Sequence, residues 1–422
     1  PMAPRPRNAT LLTQAPGSPR PRSALLPATC GNVIIRSIVR ISGVSTVVVD
    51  AGDRDWIFVR VDTDEPGLVG WGESSLGWHT RAVCGAVQDL EPLLVGQDPR
   101  PVERLWQRMV RGPYFRGGIV TMSAVAGIDQ ALWDIKAKDL GVPLFELLGG
   151  PVRDRVRTYV NLGSELGGDA RDPEAWAEAA GAARKAGFDA MKVYPMQPAR
   201  GLEGAAAVDE AVELVARVRE AAGDDADIMV DLHGRTTPAT AIELGRALEP
   251  SRPFFLEEPC PPGDADAVAE VARALPIPIA TGERLSSRRE FQDLLAKRAC
   301  AVIQPNVCYS GGVSELRRIA ALAETSFVSV APHNPNGPIG TMVSIHLALA
   351  LPKFLILEQV RDDVPWREEI VGRSLETEAG YAMPPTGPGS GVELLEEIAA
   401  AHPGGSPAPH LAFAPDGSLL DW

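Results

Sequence analysis

The chain has 422 residues, 45% of them hydrophobic and 23% charged, the usage of a globular protein with a full-sized core, which excludes disorder over most of its length. Its 41 basic against 55 acidic side chains leave a net charge of −14, which repels nucleic-acid phosphate and anionic lipid and removes both from the expected partners. No run reaches the roughly 20 apolar residues of a membrane helix, and five scattered cysteines without a C-x-x-C pair fit reduced thiols in a cytoplasm.

Residues 1–30 hold seven prolines and four arginines and no acid; they read as a flexible extension outside the fold. β-Branched alternation at 33–40, 45–50 and 56–61 predicts three antiparallel strands, and apolar spacing of three and four predicts helices at 82–94, 101–110 and 123–140, the last stopped by Gly141 and Pro143. Residues 31–150 therefore form an α+β unit. After Gly149-Gly150-Pro151 short apolar strands alternate with helices, at 157–162, 190–194, 228–232, 254–256, 277–280, 301–303, 328–331 and 354–357. Eight strands at about 25 residues per unit point to a closed parallel α/β barrel over 151–360 rather than an open sheet. The Pro/Gly-rich remainder, 361–422, is too small for a domain and is expected to pack back on the first unit as part of a cap.

Polar residues end the barrel strands at regular intervals. Asp231, Glu257 and Glu283 follow one another 26 residues apart, and Asn306, His333 and Glu358 come after further steps of 23, 27 and 25. In a barrel these six ring the C-terminal mouth, where active sites of this architecture sit. Three converging carboxylates without cysteine suit a hard, oxygen-preferring cation: Mg²⁺, with Mn²⁺ as a substitute. Unneutralised, they would repel one another and some would stay protonated.

The runs Val230-Asp231-Leu232-His233-Gly234-Arg235, Leu256-Glu257-Glu258-Pro259, Ala280-Thr281-Gly282-Glu283-Arg284, Ile303-Gln304-Pro305-Asn306 and Ala331-Pro332-His333-Asn334-Pro335, with Trp71-Gly72-Glu73 and Ala131-Leu132-Trp133-Asp134-Ile135 upstream, resemble the mandelate racemase subgroup of the enolase superfamily, and within it the sugar-acid dehydratases. The resemblance implies a (β/α)₇β barrel, a TIM-like fold, under an α+β cap made by the N-terminal region and the tail. It implies that Asp231, Glu257 and Glu283 hold Mg²⁺. It also implies dehydration of an aldonate or aldarate to a 2-keto-3-deoxy acid through an enediolate: His333 removes the C2 proton and His233 protonates the departing C3 hydroxyl. Lys192 is expected to contact the substrate carboxylate and Glu358 to hydrogen-bond the enediolate, while Glu258 reads as a structural acid. Tyr194 stands where the subgroup's racemases carry a second basic lysine, which disfavours a two-base racemase. Asn306 replaces the usual aspartate beside His333; its oxygen can accept from the imidazole but supplies no charge, so His333 is expected to be the weaker base.

Arg235, Arg284 and Tyr194 are candidate substrate contacts; specificity is expected in cap loops 51–55 and 76–81, with Trp78 and His79 candidates for sealing the site. A homo-oligomer, dimer or octamer, is expected from the resemblance alone. A cycloisomerase or epimerase sharing the enediolate step, and a sugar-acid-binding protein with a degenerate site, are the alternative functions.

Overall fold

The computed structural model describes residues 39–166, 170–196, 198–361 and 363–421. Strands β1 (Ile41–Asp50), β2 (Asp55–Thr63) and β3 (Val69–Glu73) form an antiparallel sheet in chain order. The expected strand at 33–40 lies outside the described residues except for Val39 and Arg40, which belong to no strand. The third strand is instead β3, whose two glycines hide it from a propensity reading. Their role is tertiary: a Cβ on Gly72 would sit 2.0 Å from the Gly127 carbonyl oxygen, and one on Gly70 2.2 Å from that of Ala131. The bare backbone lets the sheet lie directly against the helix Ile119–Leu140, the usual meaning of glycine inside a strand.

Eight parallel strands follow: β4 (Val156–Asn161), β5 (Ala190–Val193), β6 (Asp227–Asp231), β7 (Phe255–Glu257), β8 (Ile279–Thr281), β9 (Val302–Ile303), β10 (Ser329–Val330) and β11 (Leu357–Gln359). They pair in chain order from β4 to β10; β11 returns to pair with β4, and Val330 bridges to Phe354 on the remaining side, so the sheet closes. Seven helices, Pro173–Lys185, Ala205–Ala222, Pro238–Leu248, Ala265–Ala274, Arg288–Ala296, Gly312–Thr325 and Pro338–Ala350, fill the crossovers, giving a (β/α)₇β barrel. Each of these eight barrel strands lies within three residues of its sequence expectation. Among the described residues no helix is long and apolar enough to cross a membrane.

Successive residues of a strand face opposite sides. Ile228 and Val230 pack outward among the helices, while the lumen is plugged by Tyr159, Ala190, Met229, Phe255, Ala280, Val302, Ala331 and Ile356. Two residues after seven of these eight comes a polar residue on the same lumen-facing side, one layer higher: Asn161, Lys192, Asp231, Glu257, Gln304, His333 and Glu358. A hydrophobic floor thus carries a polar mouth.

The cap is tied to that mouth. Glu73, at the end of β3, is fully buried and accepts from the backbone N–H groups of Gly337 and Gly340 at 2.7 Å each, capping the helix Pro338–Ala350 with the charge its N-terminus favours. The tail pairs Tyr381–Ala382 antiparallel to β4. It then crosses to the cap, where Val49 bridges to Pro403 and the Trp366 indole donates to the Asp50 carbonyl.

Candidate active site

One carboxylate oxygen each from Asp231, Glu257 and Glu283 lies within 4.8 Å of the others. Asp231 and Glu257 are fully buried at the ends of β6 and β7. Glu283 stands two residues beyond β8, after the Gly282 turn, with its side chain 14% exposed. Lys192, 2% exposed, points its ammonium into the same space, 2.9 Å from Glu257 Oε1, 3.0 Å from Glu358 Oε1 and 3.4 Å from Asp231 Oδ2. Glu358 is further held by the Asn334 N–H at 2.9 Å and Asn161 Nδ2 at 3.4 Å. It faces the lumen and caps no helix.

Three carboxylates thus share one ammonium, with Glu283 a fourth close by, and the titration behaviour reflects the crowding. Burial and neighbouring carboxylates push Glu257 and Glu283 well above the usual range. Burial acts on Asp231 and Glu358 too, but Lys192 together with His233 (for Asp231) and His333 (for Glu358) outweighs it and holds both low. Lys192 would be lowered by burial, yet Glu257 and Glu358 hold it firmly charged. Two buried oxygens, Asp231 Oδ2 and Glu257 Oε2, accept no well-formed hydrogen bond among the described residues; Asp231 Oδ2 lies 3.4 Å from Lys192 Nζ and 3.2 Å from His233 Nε2. Excess negative charge, oxygen-only donors and two unsatisfied buried acceptors fit a divalent cation held by Asp231, Glu257 and Glu283.

Two histidines flank the cluster. His233 follows β6 in a left-handed backbone conformation (φ 51°), which turns its N–H onto Asp231 Oδ1 at 2.8 Å; its ring lies 4.5 Å, centre to centre, from that of Tyr194. His333 places Nε2 3.6 Å from Glu283 Oε2, and Nδ1 2.6 Å from the Tyr309 hydroxyl and 3.1 Å from Asn306 Nδ2. Burial depresses both imidazoles to about 4. The expectation that the Asn306 oxygen accepts from His333 is corrected here: that oxygen is taken by the Cys308 N–H at 2.8 Å, and the amide NH₂ faces the ring instead.

Of the remaining candidates, Tyr194, Arg235 and Arg284 border the cluster. Glu258 accepts from Thr281 Oγ1 at 2.7 Å, the Gly282 N–H at 2.8 Å and Arg284 Nε at 3.0 Å, a structural acid that braces the turn leading to Glu283. Arg284 pairs with Glu258 while its charge also acts on Glu283 and Asp231. Arg235 is buried and donates to the Met196 carbonyl. Tyr194 is half-buried and burial keeps its phenol protonated far above neutrality. Trp78, half-buried, and His79, exposed, sit before the helix Thr80–Leu90, with His79 Nδ1 3.0 Å from the Gly77 carbonyl of its own loop. Four site residues were not foreseen individually. Asn161 and Gln304 are readable from the period-two rule once the lumen residues are known, and Arg54 lies in an anticipated cap loop, where its charge acts on Tyr194 and His333. Tyr309 gives no sequence signal beyond lying three residues after Asn306.

Residues 174–398 match the family model described as enolase C-terminal domain-like, and residues 32–149 that of the mandelate racemase/muconate lactonizing enzyme N-terminal domain. D-Galactonate dehydratase of Ralstonia nicotianae is 40% identical over 376 residues, 87% of this chain and 96% of that protein. The D-galactonate dehydratase of Pectobacterium atrosepticum is 38% identical over 381 residues, 87% and 96% of the two chains. Among solved structures, an enolase of Agrobacterium radiobacter, proposed to be a galactarate dehydratase and bound to sodium and L-malate, superposes with a TM-score of 0.83 at 33% identity, covering 91% of this chain and all of that one (100%).

Proposed function

This chain belongs to the mandelate racemase/muconate lactonizing enzyme family of the enolase superfamily, and from that premise we propose that it is a Mg²⁺-dependent hydro-lyase converting a sugar acid, an aldonate or aldarate, to the 2-keto-3-deoxy acid. The observation that carries the reading is the carboxylate triad with its unsatisfied buried oxygens, set between two imidazoles on the rim of the barrel. Relatives bearing the name D-galactonate dehydratase, aligned over nearly their whole length, support the substrate class.

A hydrogen next to a carboxylate is very weakly acidic because its loss builds a second negative charge on the substrate. A divalent cation held by Asp231, Glu257 and Glu283 supplies the positive charge that offsets it. Lys192, kept charged by Glu257 and Glu358, adds a fixed buried cation beside the triad. The hydrophobic floor of the lumen closes the site from below and lowers the local dielectric, which strengthens both effects. Dehydration needs one proton taken from C2 and one delivered to the departing C3 hydroxyl, and His233 and His333 border the space where both transfers would occur. Tyr194 stands where the subgroup's racemases are expected to carry a second basic lysine, and with its phenol firmly protonated it offers no such base.

The test is a panel of aldonates and aldarates incubated with Mg²⁺, with 2-keto-3-deoxy product read as its semicarbazone. One or a few should give product, EDTA should abolish it, and Mg²⁺ or Mn²⁺ should restore it. No product from any member with either metal would overturn the reading.

A further inference from the structure

We propose that His333 is a neutral hydrogen-bond donor to the substrate and not the base that takes the C2 proton, and that Tyr309 and Asn306 are positioning residues that hold its ring proton on Nε2. The role at the substrate rests on the dehydratase reading; the tautomer rests on hydrogen bonds alone.

Three buried amides, Asn306, Asn336 and Asn334, form a hydrogen-bonded chain. Asn306 Oδ1 accepts the Cys308 N–H at 2.8 Å, Asn306 Nδ2 donates to Asn336 Oδ1 at 2.9 Å, Asn336 Nδ2 donates to Asn334 Oδ1 at 2.9 Å, and Asn334 Nδ2 donates to the Glu358 carbonyl at 3.0 Å. Both ends are backbone groups with fixed polarity: an N–H can only donate, and a carbonyl can only accept. Turning any one amide over would set like groups against each other and leave buried donors and acceptors unsatisfied, which folded proteins avoid. The orientation of all three is therefore set.

It follows that the second hydrogen of Asn306 Nδ2 points at His333 Nδ1, 3.1 Å away. A hydrogen on Nδ1 would meet it head-on, so Nδ1 carries the lone pair. The Tyr309 hydroxyl, 2.6 Å from the same nitrogen and held protonated by burial, donates to it as well. The single proton of the neutral ring then sits on Nε2, the nitrogen facing the Glu283 carboxylate at 3.6 Å. An aspartate at 306 would reverse this, accepting from Nδ1–H and leaving the Nε2 lone pair free to act as a base.

A neutral imidazole that shows N–H to the substrate cannot accept a proton through that nitrogen, but it polarises an oxygen on which charge develops. In the dehydration, the electron pair of the C2–H bond first moves into the carboxylate as an enediolate, reversibly, and then forms the C2–C3 π bond as the C3–O bond breaks; the enol so formed ketonises to the 2-keto acid. The C2 proton passes to His233, the other imidazole at the mouth, and returns on the departing hydroxyl so that water leaves.

The first test needs no substrate. In ¹⁵N-histidine-labelled protein, long-range ¹H–¹⁵N correlations distinguish the two neutral tautomers. His346 is an internal standard, because its Nδ1 accepts the Phe145 N–H at 3.2 Å and its Nε2 donates to the Ser390 carbonyl at 3.1 Å. His333, assigned by its absence in His333→Gln, should show the same Nε2–H pattern with and without Mg²⁺, and Asn306→Asp at mildly alkaline pH should switch it to Nδ1–H. An Nδ1–H pattern in the unaltered protein, or no switch in Asn306→Asp, overturns the assignment. The second test uses a substrate found by the panel in D₂O. His333→Gln, which keeps an N–H donor at that place, should retain C2 deuterium exchange within about tenfold of the parent, whereas His333→Ala should fall much further. A loss of about 10³-fold in His333→Gln, the scale expected on removing a general base, overturns the donor role. Should the panel yield no substrate, the dehydratase reading falls while the tautomer result stands.

Discussion

Replacing Glu257 by glutamine separates charge crowding from cation binding. Without a cation, burial and the neighbouring carboxylates push Glu257 well above the usual carboxylate range, which favours its neutral form. Glutamine copies that neutral form and can still accept from Lys192, which lies 2.9 Å from Glu257 Oε1. In EDTA the variant should therefore unfold within about 1 kcal/mol of the parent, the net worth of a single hydrogen bond. With the triad fully ionised, the oxygens lie within 4.8 Å of one another; two unit charges at that separation repel by about 3.5 kcal/mol at an effective dielectric of about 20. Three such pairs sum to about 10 kcal/mol, of which Lys192, shared with Glu358, offsets only part; a bound cation offsets the rest. A ligand at one hundred times its dissociation constant stabilises the native state by about 2.7 kcal/mol. Urea unfolding with EDTA and with Mg²⁺ at that excess should show this gain in the parent, and at the same Mg²⁺ concentration most of it should vanish in Glu257→Gln. A variant that is several kcal/mol less stable in EDTA, or that keeps the whole Mg²⁺ gain, would refute the reasoning.

Because burial and neighbouring carboxylates raise Glu257 and Glu283 when no metal is bound, Mg²⁺ binding should release protons and weaken as pH falls, by up to about tenfold per pH unit for each proton displaced; calorimetry in buffers of different ionisation heat measures the release, and a heat independent of buffer would contradict it. Glu258→Gln loses the carboxylate that braces Thr281, Gly282 and Arg284, so Mg²⁺ affinity should drop about 10- to 100-fold, and unchanged affinity would show the brace to be irrelevant. His346 is depressed to about 4 by burial, against about 6.5 in the unfolded chain. Its contribution to stability is complete above the unfolded value and is lost as pH falls from there through the folded one, about 3 kcal/mol in all. His346→Gln, whose amide can serve both the Phe145 N–H and the Ser390 carbonyl, should flatten that segment of the urea-stability profile; parallel profiles would contradict the assignment.

The barrel was legible because its strands are buried on both faces, so each reads as a short apolar run closed by turn residues, and because the helices between them carry clear periodicity; 205–222 and 238–248 match to the residue. β3 was not legible, since Gly70 and Gly72 answer to a helix backbone more than fifty residues away. The acid triad could be read from the spacing of strand ends, even though Glu283 stands beyond its strand. Arg284 reads as a substrate contact until Glu258, one βα unit earlier, is seen to hold it. The polarity of Asn306 was out of reach for a related reason. Its side chain is oriented by the Cys308 N–H and by Asn336, and no pattern of residue types records which end of an amide a backbone group will claim.

The most direct measurement is anomalous diffraction from crystals soaked in Mn²⁺. The account predicts one strong anomalous peak per chain, bounded by the carboxylates of Asp231, Glu257 and Glu283 and lost in Glu257→Gln. Featureless density there, or manganese bound only elsewhere on the molecule, would contradict it.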